Sequence, residues 1–151
     1  MGALDDLYQK VIVDHSRHPR HFGPLPAANR SAVGDNPVCG DRIEVSLLLD
    51  PSARIAAVTF EGSGCAIATA SASMMTEHVL GRTRAEAQAA AERLDRIVSG
   101  GALEPGAADA GDLLALSAVA RFPVRVKCAR LAWRALLAAL ADGTGTVSTE
   151  V

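Results

Sequence analysis

Apolar residues recur at helical spacing from the start of the chain, at Leu4, Leu7, Tyr8, Val11 and Ile12. Asp5 and Asp6 stand where the positive end of a helix dipole favours acids. The helix should stop before Pro19, because the residue preceding a proline resists the α region. Between His18 and Asn36, Pro19, Gly23, Pro24, Pro26 and Gly34 predict a loop or extended crossing, with at most a short strand near Ala32 to Gly34. Arg42 to Leu49 and Arg54 to Phe60 read as strands, and Asp50-Pro51-Ser52 supplies the turn of an antiparallel pair.

Glu61-Gly62-Ser63-Gly64 should break the second strand, and Ala66 to Leu80 then reads as a helix ended by Gly81. Thr83 with Glu86 three residues on forms a capping box for a helix running to about Val98. A Gly/Ala/Pro-rich link follows Gly100-Gly101 and leads to a short apolar helix, Asp112 to Val119. Arg121-Phe122-Pro123 punctuates, and a last helix is predicted from about Val126 to Ala141. Residues 142–151 carry no apolar stripe and are expected to form a flexible tail. Strands first and helices after predict one α+β domain over residues 1–141, a small antiparallel sheet of about three strands packed against several helices.

Composition narrows the function classes. A chain of 151 residues, 49% hydrophobic and 21% charged, can bury a core without disulfide staples. Aromatics are only 3%, so Ala, Leu, Val and Ile must build that core. A net charge of −2 gives no electrostatic reason for nucleic acid or an anionic membrane as partner. The acidic N-terminus has no apolar run, so no secretory signal is expected, and Asp6 stands where a myristoylation motif wants Ser or Thr. No stretch is long and apolar enough to span a bilayer. These features predict a soluble, cytoplasmic protein.

Three cysteines, none in a Cys-x-x-Cys pair, argue against a disulfide framework. They leave buried inert thiols, a nucleophile or metal ligands. Cys39 and Asp41 flank Gly40, and in extended chain residues two apart share a side. Cys65 follows Gly62-Ser63-Gly64 and should open a helix, where unpaired N–H groups favour thiolate. Cys128 is expected in the first turn of the last helix, near Arg125 and Lys127, whose charges offset gathered thiolates. Cys39, Asp41, Cys65 and Cys128 suit tetrahedral Zn²⁺ with Zn–S bonds near ~2.3 Å. Such a set is closed at rest, so any chemistry needs a ligand to leave. The spacing matches no general zinc-finger pattern, and by itself it favours inert burial.

Five motifs in order tip that balance. They are Leu7 to His15 (LYQKVIVDH), Asn36 to Arg42 (NPVCGDR) and Phe60 to Ala68 (FEGSGCAIA), then Ala70 to Thr76 (ASASMMT) and Phe122 to Ala129 (FPVRVKCA). Together they resemble the IscU/NifU-like family of iron–sulfur cluster assembly, over nearly the whole chain except the tail. IscU-type scaffolds carry a histidine just before the last cysteine, where this chain has Lys127, and a Leu-Pro-Pro-Val-Lys chaperone segment that Phe122-Pro123-Val124-Arg125 does not reproduce. The extended stretch of roughly residues 81–118 also points to the SufU branch.

The resemblance implies an IscU-like fold and zinc held by Cys39, Asp41, Cys65 and Cys128. Its implied partner is a SufS-type cysteine desulfurase, a pyridoxal phosphate enzyme that carries a persulfide. On docking, Cys39 would leave the metal and attack the outer persulfide sulfur, then pass it to a SufBCD-type complex. Arg125 is a candidate for steering the partner. Two alternatives stay open: a scaffold building a [2Fe–2S] cluster on the same ligands, and a structural zinc module for protein binding. Elsewhere, His15, His18 and His21 read as a solvated or partner-facing basic cluster rather than a second metal site, since Pro19 interrupts their helix. His78 reads as structural, one or both of Met74 and Met75 as core, and Trp133 with Leu131, Leu136, Leu137 and Leu140 as an apolar helix face. The charges from Arg82 to Arg96 read as a solvated face.

Overall fold

The structure, a computed structural model, describes residues 3–100, 107–141 and 146–148, without the side chains of 3–5, 7, 107–110 and 146–148. Helix α1 (Ala3–Arg17) leads into strands β1 (Arg30–Asn36), β2 (Asp41–Leu49) and β3 (Ile55–Ser63). Helices α2 (Ala66–Val79) and α3 (Arg84–Val98) follow, then a segment of 3₁₀ turns (Ala107–Arg121), helix α4 (Pro123–Ala141) and strand β4 (Thr146–Ser148). The sheet has the order β3-β2-β1-β4, antiparallel except for the parallel β1–β4 pair. The α+β class and the antiparallel three-strand meander are as the sequence pattern predicts.

Several details differ. β1 is a full strand rather than a short one, because its small residues close onto α4 instead of alternating in hydrophobicity. Gly34 is the reason: a Cβ there would lie 2.8 Å from the Leu131 carbonyl oxygen. β3 does not break at Glu61-Gly62-Ser63 but runs to Ser63, paired with Arg42. Gly62 makes that passage possible with φ +135°, since a Cβ would sit 2.1 Å from the Arg42 carbonyl oxygen. The apolar segment before Phe122 is 3₁₀ rather than α-helical and is kinked at Gly111. α4 begins at Pro123, three residues before the predicted start, because proline fits the first helical position, where no N–H is needed. Thr146–Ser148 pairs with Val33 to Asp35, inside the stretch expected to be a flexible tail. The link at 101–106 and the other tail residues lie outside the described residues.

α2 and α4 pack together and form the helical layer behind the sheet, with α1 against α2 and α3 against the 3₁₀ segment, α4 and α2. Inward residues of the sheet, including Ala32, Ile43, Val45, Leu47, Val58 and Phe60, close that core. α2 is buried on nearly all sides, Met74 and Met75 both included. Its hydroxyls replace the hydrogen bonds water would make: Ser71 Oγ donates to the Ala129 carbonyl at 2.6 Å and accepts from Trp133 Nε1 at 3.1 Å. The Thr83–Glu86 capping box is formed at the start of α3. Tyr8, Val11 and Ile12 pack on the core, while the side chains of Leu4 and Leu7 lie outside the described residues. No described helix is long and apolar enough to cross a membrane.

His15 is a correction to the sequence reading. It is 1% exposed rather than solvated, within 2.8 Å of Ser73 Oγ through Nδ1 and 2.9 Å of Asp112 Oδ2 through Nε2. Those partners lie 58 and 97 residues away, so no local pattern announces them. His21 likewise pairs with Thr76 Oγ1 at 2.9 Å, which pins the loop after α1 to α2.

Candidate metal and thiol centre

Three elements converge at one end of the sheet. The tip of the β1–β2 hairpin brings Cys39 and Asp41, the N-terminus of α2 brings Cys65, and the second turn of α4 brings Cys128. Cys128 was expected in the first turn; the earlier start of α4 at Pro123 moves it on by about a turn. Cys39 is not in extended chain as the sequence reading assumed. Residues 37–40 form a turn closed by the Gly40 N–H donating to the Asn36 carbonyl at 2.9 Å. Gly40 has φ +74°, a conformation that glycine adopts without strain, and this turn folds Cys39 back toward Asp41.

Ligand atoms of Cys39, Asp41 and Cys128 all lie within 4.8 Å of one another, and the Cys39 and Cys128 sulfurs are 3.9 Å apart. Cys65 caps α2, its sulfur accepting from the Ala68 N–H at 3.5 Å. Its own N–H donates to Asp41 Oδ1 at 3.3 Å, so its backbone meets the cluster, while its sulfur is not among the ligand atoms lying within 4.8 Å of one another. All three cysteines are free; Cys39 is exposed, Cys65 half-buried and Cys128 buried. Burial, then the neighbouring Cys65 and Asp41, push the Cys128 thiol far above the ordinary thiol range. The Arg125 guanidinium is held more firmly protonated, chiefly by Cys65 and then by Cys128. Lys127 borders Cys39 from the next turn of the same helix.

The donor set suits a soft divalent cation. Asp41 is 4% exposed, and its Oδ2 has no hydrogen-bond partner among the described residues. A buried carboxylate oxygen without a partner is costly in a dry site, and a cation beside it removes that cost. Sulfur donors with one oxygen fit Zn²⁺ or iron rather than Mg²⁺ or Ca²⁺.

Cys39 also borders an apolar groove of about 1100 Å³, walled by Ile12, Val13, Ile67, Val119, Phe122 and Val124 among others. Val38, Phe122 and Val124 are 69%, 55% and 56% exposed, an unusual density of large apolar surface around one thiol. Asn36 was missed at the sequence level. Its signal was parity: with Ala32 and Gly34 it occupies the inward positions of β1, yet it is an amide.

The family model for the NifU-like N-terminal domain matches residues 7–148. The chain belongs to this family. It is 41% identical over 144 residues to the zinc-dependent sulfurtransferase SufU of Bacillus subtilis, covering 94% of this chain and 95% of that one. To the iron–sulfur cluster assembly scaffold protein IscU of Streptococcus pyogenes it is 39% identical over 140 residues, covering 93% and 86%. Among solved structures it is similar to a candidate iron–sulfur cluster assembly scaffold protein for the SUF system from Fervidobacterium islandicum. That match has a TM-score of 0.80 at 32% identity, covering 92% of this chain and 99% of the other. The fold of the family is therefore the fold described above, with the hairpin tip and the two helix starts gathered at one end.

Proposed function

We propose that this chain is a sulfur relay of iron–sulfur cluster assembly. It accepts persulfide sulfur from a SufS-type cysteine desulfurase, a pyridoxal phosphate enzyme, and delivers it to a SufBCD-type complex in the cytoplasm. The observation that carries this reading is the asymmetry of the thiols: exposed Cys39 stands 3.9 Å from buried Cys128, on the rim of a large apolar groove. The likeness to a protein named a zinc-dependent sulfurtransferase supports it.

Cys39, Asp41, Cys65 and Cys128 would hold zinc, which when bound keeps the thiols deprotonated and shielded from oxidation. Cys39 is the nucleophile, being the only one of the three cysteines that is exposed. Its thiolate attacks the outer sulfur of the partner's persulfide. The partner's S–S bond breaks, a new S–S bond forms on Cys39, and the partner cysteine leaves as thiolate. The sulfur changes carrier at constant oxidation level. Asp41, Cys65 and Cys128 stay behind on buried or capped positions and preserve the site. The apolar rim of Val38, Phe122 and Val124 excludes water from the docked thiols, and Arg125, exposed among them, offers a charge to steer the partner.

A second reading, a scaffold carrying a [2Fe–2S] cluster on the same four residues, is supported by the relatives named as scaffolds. Metal content and visible absorption of protein purified without added metal separate the two. About one zinc per chain and a colourless protein are expected for the relay. Iron with acid-labile sulfide and visible absorption would overturn it in favour of the scaffold.

A further inference from the structure

His15 of α1, Glu77 of α2 and Asp112 of the 3₁₀ segment form a second cluster, whose ligand atoms all lie within 4.8 Å of one another. The donors are one imidazole nitrogen and two carboxylates, with no thiol among them. His15 is 1% exposed, and its Nδ1 is 2.8 Å from Ser73 Oγ, which also accepts from the Arg20 N–H at 2.8 Å. That leaves Nε2 as the nitrogen aimed at the acids, 2.9 Å from Asp112 Oδ2 and 3.9 Å from Glu77 Oε1. An imidazole fixed through one nitrogen and presenting the other is how histidine is set to ligate a metal.

The charges in the cluster do not balance. Nε2 has one proton to give, and Asp112 takes it; Glu77 at 3.9 Å is too far for a hydrogen bond. Even a charged imidazole pairs only one of the two carboxylates. His78 lies near the same acids, but burial pushes it toward its neutral form, so it does not supply the missing charge. Glu77 also stands in the last turn of α2, where the helix dipole disfavours an acid and deepens the negative potential. The Glu77 and Asp112 side chains are 46% and 54% exposed, so a cation can enter from solvent and keep water on its open positions. Ligand atoms ~2.1 Å from a metal lie ~3.0 to ~4.2 Å apart, so a small opening of Asp112 admits the ion.

We propose that His15, Glu77 and Asp112 bind a divalent first-row cation of the Mn²⁺ or Fe²⁺ class, at a site separate from the thiol centre. Two carboxylates and water suit Mn²⁺, and the imidazole extends the preference to Fe²⁺. Without sulfur the set is harder than the thiol centre, so the two sites favour different ions. When the ion binds, Nε2 gives up its proton and Nδ1–H donates to Ser73 Oγ. Three protein ligands with open positions hold the ion exchangeably, and purification without added metal strips it. The ion joins α1, α2 and the 3₁₀ segment, whose Val119 and Arg121 wall the groove beside Cys39. Occupancy therefore braces that wall. None of the three ligands belongs to the thiol centre, so the site does not depend on the relay reading.

The test uses the full chain with zinc already bound, titrated with Mn²⁺ and followed by the electron paramagnetic resonance signal of free Mn²⁺. About one Mn²⁺ per chain should bind with zinc retained. Glu77→Gln and Asp112→Asn should each weaken binding by about tenfold or more, whereas Glu44→Gln, on the outer face of the sheet, should not. Mg²⁺, which takes oxygen ligands and dehydrates reluctantly, should compete at least about tenfold more weakly. Amide NMR signals around His15, Glu77 and Asp112 should broaden first. No binding at millimolar Mn²⁺, or wild-type affinity in both Glu77→Gln and Asp112→Asn, would overturn the proposal. So would zinc displacement with broadening centred on Cys39, Cys65 and Cys128, or equal competition by Mg²⁺, which leaves the imidazole without a role. Both substituted side chains are exposed, so the fold should survive. If Asp112→Asn does not fold, Glu77→Gln decides: unchanged affinity overturns the proposal, and weaker binding supports it.

Discussion

Cys39 and Cys128 are 3.9 Å apart yet differ in what water can reach. A thiolate needs solvation or a counter-charge, and at Cys128 burial, with Cys65 and Asp41 beside it, outweighs the charge that Arg125 offers. In chelated protein, iodoacetamide should therefore modify Cys39 at least about tenfold faster than Cys128 at neutral pH. Peptide mapping of the alkylated cysteines reads the ratio, and equal rates would remove the asymmetry on which the relay depends.

His78 gives a second test at this scale. Burial lowers its pKa below the ordinary 6.5, outweighing the attraction of Asp112 and Glu77. The folded state then binds fewer protons than the unfolded state between those two values. Stability is full above about pH 6.5 and is lost as pH falls below it toward the folded pKa. His78→Gln should flatten the fall in melting temperature between about pH 7 and 5, relative to wild type. An identical slope in the variant would contradict this.

At the level of elements, the seam between α2 and α4 positions Cys65 against Cys128. Ser71 bridges it by donating to the Ala129 carbonyl and accepting from the Trp133 indole. Ser71→Ala leaves a buried indole N–H without that partner, a cost of about 1–3 kcal/mol. Urea unfolding should show a lowered midpoint with an unchanged slope. No change in the midpoint would mean the seam is held by apolar packing alone.

Elements whose signals are local were legible in the sequence: α3 through Thr83 and Glu86, α2 through Cys65 and Gly81, and the β2–β3 hairpin through Asp50-Pro51-Ser52. Those set by distant contacts were not. β1 reads as a polar, glycine-broken loop because its inward residues were selected for the close approach of Leu131, not for hydrophobicity. The start of α4 was misplaced because Pro123 terminates a preceding element and opens the next, and sequence shows only the first role. The four cysteine and aspartate positions stood out by the chain breaks beside them, and resemblance to a family gave them weight as ligands. Their spacing carried little information, since the hairpin tip, α2 and α4 meet only in three dimensions. Asn36 and His15 escaped notice because burial of a polar side chain depends on what packs over it.

Across the whole molecule, the candidate thiol–metal site sits at one end of a core that spans the sheet, α2 and α4. The fold has apolar support of its own, unlike a zinc finger, where metal binding supplies the folding energy of ~10–16 kcal/mol. Chelation should thus lower the melting temperature while leaving most secondary structure intact by circular dichroism. A chelated protein with an unchanged melting temperature would argue against a metal at this centre, and complete unfolding would argue against an independent core.

The central claim, that Cys39 accepts sulfur, is tested most directly by mass. Protein incubated with a cysteine desulfurase and L-cysteine, then digested without reductant, should carry one added sulfur atom on the peptide containing Cys39. Peptides with Cys65 and Cys128 should carry none, and Cys39→Ser should abolish the adduct while keeping the fold. Added sulfur confined to Cys65 or Cys128, or absent from the wild type altogether, would contradict the account.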